Sequence, residues 1–572
     1  MKKIIILIPL VALIYVSYSI LNNQFFSVHD DQQVARIYLL TEALKSGQFP
    51  VRWVNHLGFG FGYPLFIFYP PLIYYIGSLF YLMGASLILS VKLIIFISFV
   101  GSMASMYFLL NKFYSKNISA ICSSFYVLTS YRALDVYVRG ALSEAFSFVF
   151  LPIILLNIYN IFDKKSKNLI KSFVFLSLAF AGLILTHTLT ALGFLLIILV
   201  WVFVLYIQTR SIRKIVITVA SLGLGGGLSA FSSIPSVIEK KFTLVDGILL
   251  TELADYRIHF VYIRQLWDSA WGYGGSLPEL NDGMSFEVGK VLLIGIIVSL
   301  GIITFNVIKN KKIVFNQLLP LFILLPLFMT LKYSKPIWLA LQPIAYLQFP
   351  WRFLTFVTLF APFVFAFLSN QISKKNKKYS YLFLAIVYVI TIFELFGRFS
   401  PESFKQFSDS DYLTKQRLDW ATSRSSFEYI PRGVATKVSK DFTTIPDINE
   451  IDLPRSQFEI LEGEGIIENI EFKPGNQKYR AVLSTDGKVQ FNTFDFPGWQ
   501  VKINGQKTKV DNTNRLKLIT VLIPQGESII ELNFSRTPIR LISEIISLVS
   551  LIIIICLLFL KKINNVRLRF IN

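Results

Sequence analysis

Apolar runs of about 20 residues, the length that crosses a bilayer, recur along the chain with short basic clusters between them. No water-soluble core can absorb so many continuous apolar segments. Of 572 residues, 54% are apolar or aromatic and only 16% are charged, with a mean hydropathy of +0.57. That balance excludes a single soluble domain. The net charge of +21 would suggest a nucleic-acid partner on a soluble chain. Here the basic residues sit between the apolar runs, so the excess is a topology signal and no nucleic acid is expected.

The runs that read as spans are 4–21, 87–110, 118–134, 141–161, 170–186, 189–207, 214–234, 289–308, 315–333, 352–370, 379–398 and 539–560, which makes 12. Basic clusters stand at Lys2-Lys3, Lys112 with Lys116, Lys164-Lys165 through Lys171, Arg210 through Lys214, Lys309 through Lys312, Lys374 through Lys378, and Lys561-Lys562 with Arg567 and Arg569. They occupy every second connection, which places both termini in the cytoplasm of a multi-pass plasma-membrane protein. The first run follows Met-Lys-Lys but precedes no small-residue cleavage site, so it reads as an uncleaved span. The stretch 64–84 is long enough for a further span, yet counting it would reverse every later basic loop. With Pro64, Pro70 and Pro71 near its start, it is placed outside, on or dipping into the membrane surface.

This topology divides the chain into a membrane core over 1–398 with outer loops 22–86 and 235–288, an outer soluble domain over 399–538, and a last span with a basic cytoplasmic tail over 539–572. Of the 35 acidic residues, 19 fall between Phe399 and Pro538, and Asp163 alone falls in a cytoplasmic connection. Any chemistry therefore faces outward. The later half of the soluble domain alternates as strands do, in KVQFNTF, QVKI, LKLITVLIP and SIIELNF, with Asn504-Gly505 as a hairpin turn signal. A β-sandwich or small barrel is expected, with Trp499 as a core anchor. Trp267 and Trp271, in the long second outer loop, read as interfacial anchors.

Cys122 and Cys556 lie in apolar runs, so no disulfide framework is expected, and no CxxC or HExxH spacing marks a zinc site. The first outer loop opens with SVHDDQQVARIYLLTEALKSGQFPVRW. Val34, Ile37, Leu40, Ala43 and Leu44 fall near one helical face, and Gly47 and Pro50 stop it, which reads as an amphipathic helix at the membrane surface. His29, Asp30 and Asp31 then stand at its N-terminal end, either capping it or supplying a carboxylate as general base. GFGFGYP reads as a tight turn, not as a dinucleotide fingerprint. Asp135, Arg139 and Glu144 in YRALDVYVRGALSEAF are costly beside hydrocarbon and are expected to face a water-filled cavity, whereas Arg132 reads as snorkelling to lipid headgroups. His187 in THTLTAL is either a packing or a cavity residue. Arg352 in LQFPWRF suits a lipid phosphate at the outer start of a span.

Taken together, an acidic first outer loop, many spans and a terminal outer domain resemble the GT-C superfamily of membrane glycosyltransferases. More narrowly, HDDQQVARIYLLTEALKSGQFPVRW, FGYPLFIFYPPLIYYIG, YVRGALSEAF, THTLTAL, QLWDSAWGYG and LQFPWRF are similar to bacterial and archaeal membrane proteins called 6-pyruvoyl-tetrahydropterin synthase-related, and FPGWQVKING is similar to the outer domain of YfhO-like proteins. The superfamily resemblance implies a GT-C-like helical membrane fold with an outer β-rich domain. It also implies transfer of a sugar, with inversion, from a polyprenyl-phosphate carrier to an envelope glycan, lipid or protein acceptor. The family's first-loop aspartate falls on Asp30 or Asp31, two neighbours that the motif matches equally. Asp30 is taken as the base, with Asp31 orienting the acceptor or a metal. His29, Arg36, Asp135, Arg139, Glu144, His187 and Arg352 are the candidate substrate-binding residues. A divalent cation serves some branches of that superfamily only, so the cofactor stays open. The rival reading is a non-catalytic flippase for lipid-linked sugars, or an envelope assembly scaffold.

Overall fold

The computed structural model describes residues 2–166, 168–249, 254–309, 314–439 and 443–570; Lys167, Lys311 and Lys312, counted above among the basic connections, lie outside them. Among the described residues seven helices are long and apolar enough to cross a membrane: Leu87–Leu110, Leu142–Phe162, Leu169–Thr186, Thr188–Thr209, Lys290–Ile308, Pro350–Ser373 and Pro538–Phe559. An eighth candidate is the pair Ile212–Leu228 and Ala230–Phe242, bent by 76° at Ser229.

Seven or eight helices of the described residues thus have spanning length and apolarity where hydropathy suggested twelve spans, and the difference has local causes. Over 118–134 the helix Lys116–Ser124 stops after nine residues in a serine-rich stretch, and only the four-residue helix Ser130–Ala133 follows. Over 315–333 the chain breaks into short helical pieces around Pro320 and Pro326. The helix Lys377–Glu394 has 18 residues but carries Lys377, Lys378 and Glu394 at its ends. The first apolar helix is described as a shorter element, Leu7–Leu21. Average hydropathy measures composition and does not sense a break in hydrogen bonding.

Burial ranks the long helices. The Pro350–Ser373 window is 94% buried and forms the centre of the bundle, whereas the Pro538–Phe559 window is only 17% buried and presents its apolar face outward. An apolar helix left uncovered is stable only where lipid replaces water.

The first loop is built into the protein. Helix Gln33–Lys45 buries nine of its 13 residues, including Gln33, Arg36 and Thr41. It packs on Leu72–Leu82 and Leu87–Leu110, so it is an internal helix and not the surface amphipath expected. The turn after it bridges Val54 to Tyr63 and uses positive φ at Gly58, Gly60 and Gly62. A Cβ on Gly62 would lie 2.6 Å from the Trp53 indole, so glycine is required there.

The C-terminal region is β-rich. A five-stranded antiparallel sheet contains Gly465–Lys473, Asn476–Leu483, Trp499–Ile503, Gln506–Thr508 and Gly526–Phe534. A three-stranded sheet contains Phe458–Glu462, Gly487–Phe494 and Leu518–Ile523. Tyr479 of the first meets Phe458 and Phe491 of the second at ring separations of 5.7 and 4.9 Å. Asn504 and Gly505 turn the hairpin with φ of 50° and 80°, as its two-residue loop demands. Trp499 is 7% exposed and stacks edge-on against Trp53. Buried ion pairs tie this region to the bundle, Glu239–Arg540 at 2.9 Å and Arg52–Glu544 at 3.0 Å.

Candidate functional site

Asp30 is placed by backbone bonds on both sides. Residues Phe25–Phe26 pair antiparallel with Phe404–Lys405, and Ser27 N donates to Ser403 O. The chain then crosses to the π-helical turn Leu134–Arg139, where His29 N donates to Val138 O at 3.1 Å and Asp30 N to Arg139 O at 2.9 Å. Gly140 ends that turn with φ 65°, and a Cβ on it would lie 2.6 Å from Val28. Only glycine permits this approach of the two segments.

Around Asp30 the side chains form one charged cluster. Arg139 Nη1 donates to Asp135 Oδ1 and Glu144 Oε2, each at 2.8 Å, and its guanidinium lies 4.7 Å over the Trp351 ring. Glu144 also accepts from Tyr131 OH at 2.6 Å and Thr355 Oγ1 at 2.9 Å. Arg352 Nε stands 3.9 Å from Glu144, while its Nη1 donates to Leu347 O and Gln348 Oε1. That Nε, like Asp135 Oδ2, is buried without a hydrogen-bond partner among the described residues. His187 Nδ1 lies 2.6 Å from Thr190 Oγ1 and accepts from Thr190 N at the start of the following helix.

Burial, and then the charge of Glu144, holds the Asp135 carboxyl well above the usual carboxylate range. Burial pushes the His187 imidazole down to about 3, so the ring is neutral. Asp30 is within electrostatic reach of Asp135, Arg139 and Arg352. Its half-buried carboxylate makes no hydrogen bond or ion pair among the described residues.

The structure therefore gathers Asp30, Asp135, Arg139, Glu144, His187 and Arg352. It does not gather the other three candidates. Asp31 turns away to Lys405 at 2.7 Å and Arg417 at 2.5 Å. His29 is exposed, with Nε2 2.9 Å from Tyr273 O. Arg36 is 1% exposed, lies 4.1 Å over Tyr69, and donates to Tyr74 OH and Ser426 Oγ. Glu428 is its carboxylate neighbour, and burial raises that acid despite Arg36.

Neither aspartate caps the first-loop helix, whose N-cap is Gln32 with no side-chain cap bond. Arg132 does not snorkel. It is fully buried between Phe99 and Phe148, donating to Ala145 O and Ser98 Oγ, because the short helical turn carrying it points inward. Tyr131, Thr355, Gln348 and Trp351 were missed as site residues; of these only Trp351, beside Arg352, carried a signal, its aromatic ring within reach of the basic residue. Among the described residues no group of three or more His, Cys, Asp or Glu is placed to hold a metal ion.

These features define a polytopic helical membrane protein with a β-rich C-terminal region and a buried charged cluster where the first loop meets the bundle. Residues 66–260 match the family described as 6-pyruvoyl-tetrahydropterin synthase related domain; membrane protein. The matched segment contains Asp135, Arg139, Glu144 and His187 and excludes Asp30, Asp31 and Arg352. No curated protein matches the chain.

Proposed function

We propose that the protein is a GT-C type glycosyltransferase of the plasma membrane. It moves a sugar from a polyprenyl-phosphate donor to an acceptor on the outer side, where the β-rich domain stands. One observation carries this reading: the Asp30 carboxylate is unengaged while every other acid of the cluster is held by Arg139. A free carboxylate held by its backbone beside two guanidinium groups is the arrangement a general base and a departing phosphate require.

In the step, Asp30 takes the proton of the acceptor hydroxyl as that oxygen bonds to the anomeric carbon. The bond from that carbon to the phosphate oxygen breaks, and the polyprenyl phosphate leaves with the electron pair. Inversion follows from a single displacement. Arg352 is the better partner for the leaving phosphate, because Arg139 is already engaged by Asp135 and Glu144, each at 2.8 Å, while Arg352 keeps a free Nε. Arg139 instead fixes the cluster and braces Trp351.

A flippase or scaffold would use the same charged cluster without a base. The bent pair at Ser229 is a feature such transporters share. The deciding experiment incubates purified protein in lipid with polyprenyl-phosphate sugars labelled in the sugar, with and without an envelope extract as acceptor. Release of polyprenyl phosphate and transfer of label are expected. Label that crosses the bilayer still attached to its carrier, with no release, overturns the enzymatic reading.

A further inference from the structure

A large cleft of the bundle lies far from the charged cluster. It has a volume of about 740 Å³ and is formed by the helices Leu87–Leu110, Phe150–Phe162 and Leu169–Thr186. Glu144 and Asp163 stand near opposite ends of the span Leu142–Phe162. Their 19-residue separation at about 1.5 Å per residue is close to the thickness of the hydrocarbon layer. The cleft thus opens at the membrane face opposite Asp30.

Its walls and its rim differ in chemistry. Gly101 and Ala104 keep the floor low, and Phe108, Leu156 and Phe175 supply apolar sides. Phe108 is 59% exposed and Phe175 46% exposed, as rings facing acyl chains would be. At the mouth stand Lys112, Lys165 and Lys171 against a single acid, Asp163. None of the three ammonium groups makes an ion pair among the described residues. Asp163 is turned back to accept from the Lys165 backbone N–H at 2.9 Å. Inside the mouth Asn160 Oδ1 is buried without a hydrogen-bond partner among the described residues.

We propose that this cleft is a binding site for an anionic phospholipid of that leaflet, with a hydroxyl-bearing headgroup such as phosphatidylglycerol. The phosphate sits among Lys112, Lys165 and Lys171, a headgroup hydroxyl donates to Asn160 Oδ1, and an acyl chain lies along Phe108 and Phe175. Charge complementarity selects the occupant: three cations without an acid partner among the described residues, Lys171 lying 5.6 Å over the Phe175 ring, stand over an apolar trough and fit a single anionic headgroup with a tail. A zwitterionic lipid would bring its own cation against theirs. The site is independent of sugar transfer and stands if that reading falls.

The test is native mass spectrometry of the full-length protein, titrated with phosphatidylglycerol, with phosphatidylcholine of the same chains, and with inorganic phosphate. Phosphatidylglycerol is expected to bind at least tenfold more tightly than phosphatidylcholine, and phosphate alone not to bind. Replacing Lys112, Lys165 and Lys171 by Gln should cost about fivefold per lysine. The same change at Lys374, Lys375 and Lys378, in another basic connection, should cost little. A phosphatidylglycerol with a photoreactive acyl chain should mark peptides of 101–108 and 153–175. Equal losses in the two triple variants, no preference over phosphatidylcholine, or marking elsewhere would each overturn the site.

Discussion

The carboxylate of Asp31 lies 2.7 Å from the ammonium of Lys405, 374 residues away in the chain. Arg417 and Tyr412 complete the shell, so Asp31 fastens the first loop to the segment that leads into the β-rich region. Its neighbour Asp30 has no such duty, and that contrast separates two residues the sequence could not tell apart.

Asp30→Asn should leave thermal unfolding in detergent unchanged within about 0.5 kcal/mol, since it breaks no contact. It should slow sugar transfer by about 10²- to 10⁴-fold, because an amide cannot take the proton. Asp31→Asn should do the reverse, costing about 1–2 kcal/mol through a partly buried ion network while transfer by the folded fraction persists. Equal transfer rates for wild type and Asp30→Asn would remove Asp30 from the chemistry.

Arg352→Lys should raise the KM for the polyprenyl-phosphate donor by about tenfold or more, with the fold retained. Lysine keeps the charge but loses the planar fork whose free Nε is aimed at the cluster. Arg139→Lys should instead lower thermal stability, since it loosens a guanidinium bonded to both Asp135 and Glu144. Donor kinetics that change only in the Arg139 variant would exchange the two roles.

Much of this site was legible because charge beside hydrocarbon is rare and costly. Asp135, Arg139 and Glu144 stood out for that reason and Arg352 as a guanidinium opening a span, and the structure brings the four together. What stayed hidden depends on distance in the chain. The partners of Asp31 lie at 405 and 417, and no local pattern points from one to the other. Arg132 misled for a related reason, since snorkelling and burial look alike until Phe99 and Phe148 are seen on either side of it. In the fold, the strand alternation and the Asn504-Gly505 turn are short-range signals and were readable. The breaks over 118–134 and 315–333 arise where serine and proline interrupt apolar runs whose average hydropathy stays high.

Orientation is open to direct measurement. In a cysteine-free background, cysteines at Ser484 and Asn281, both exposed, should react with a membrane-impermeant thiol reagent on intact cells. One at Asn168, exposed at the other end of the bundle, should react only after permeabilisation. This expectation follows from the excess of basic residues in the connections around Lys112, Lys165 and Lys171, the composition that favours the cytoplasmic side. The opposite labelling pattern would invert the protein and place Asp30 in the cytoplasm.

The pair Glu239–Arg540 allows the sharpest test of how the β-rich region is docked. Both side chains are almost wholly buried, at 2% and 0% exposure. Arg540 also donates to Pro497 O and Ser535 O in the β-rich region, and Glu239 accepts from Thr537. Arg540→Met leaves Glu239 as a buried unpaired carboxylate, which typically costs about 3–5 kcal/mol. Adding Glu239→Met removes that stranded charge, so the double variant should unfold at a higher temperature than Arg540→Met alone. The bonds to Pro497 and Ser535 are lost in both, so cleavage by protease in the 399–538 region should remain faster than in wild type even where stability returns. Purely additive losses in the double variant would show that the pair is not coupled, and that the region is held by its apolar contacts alone.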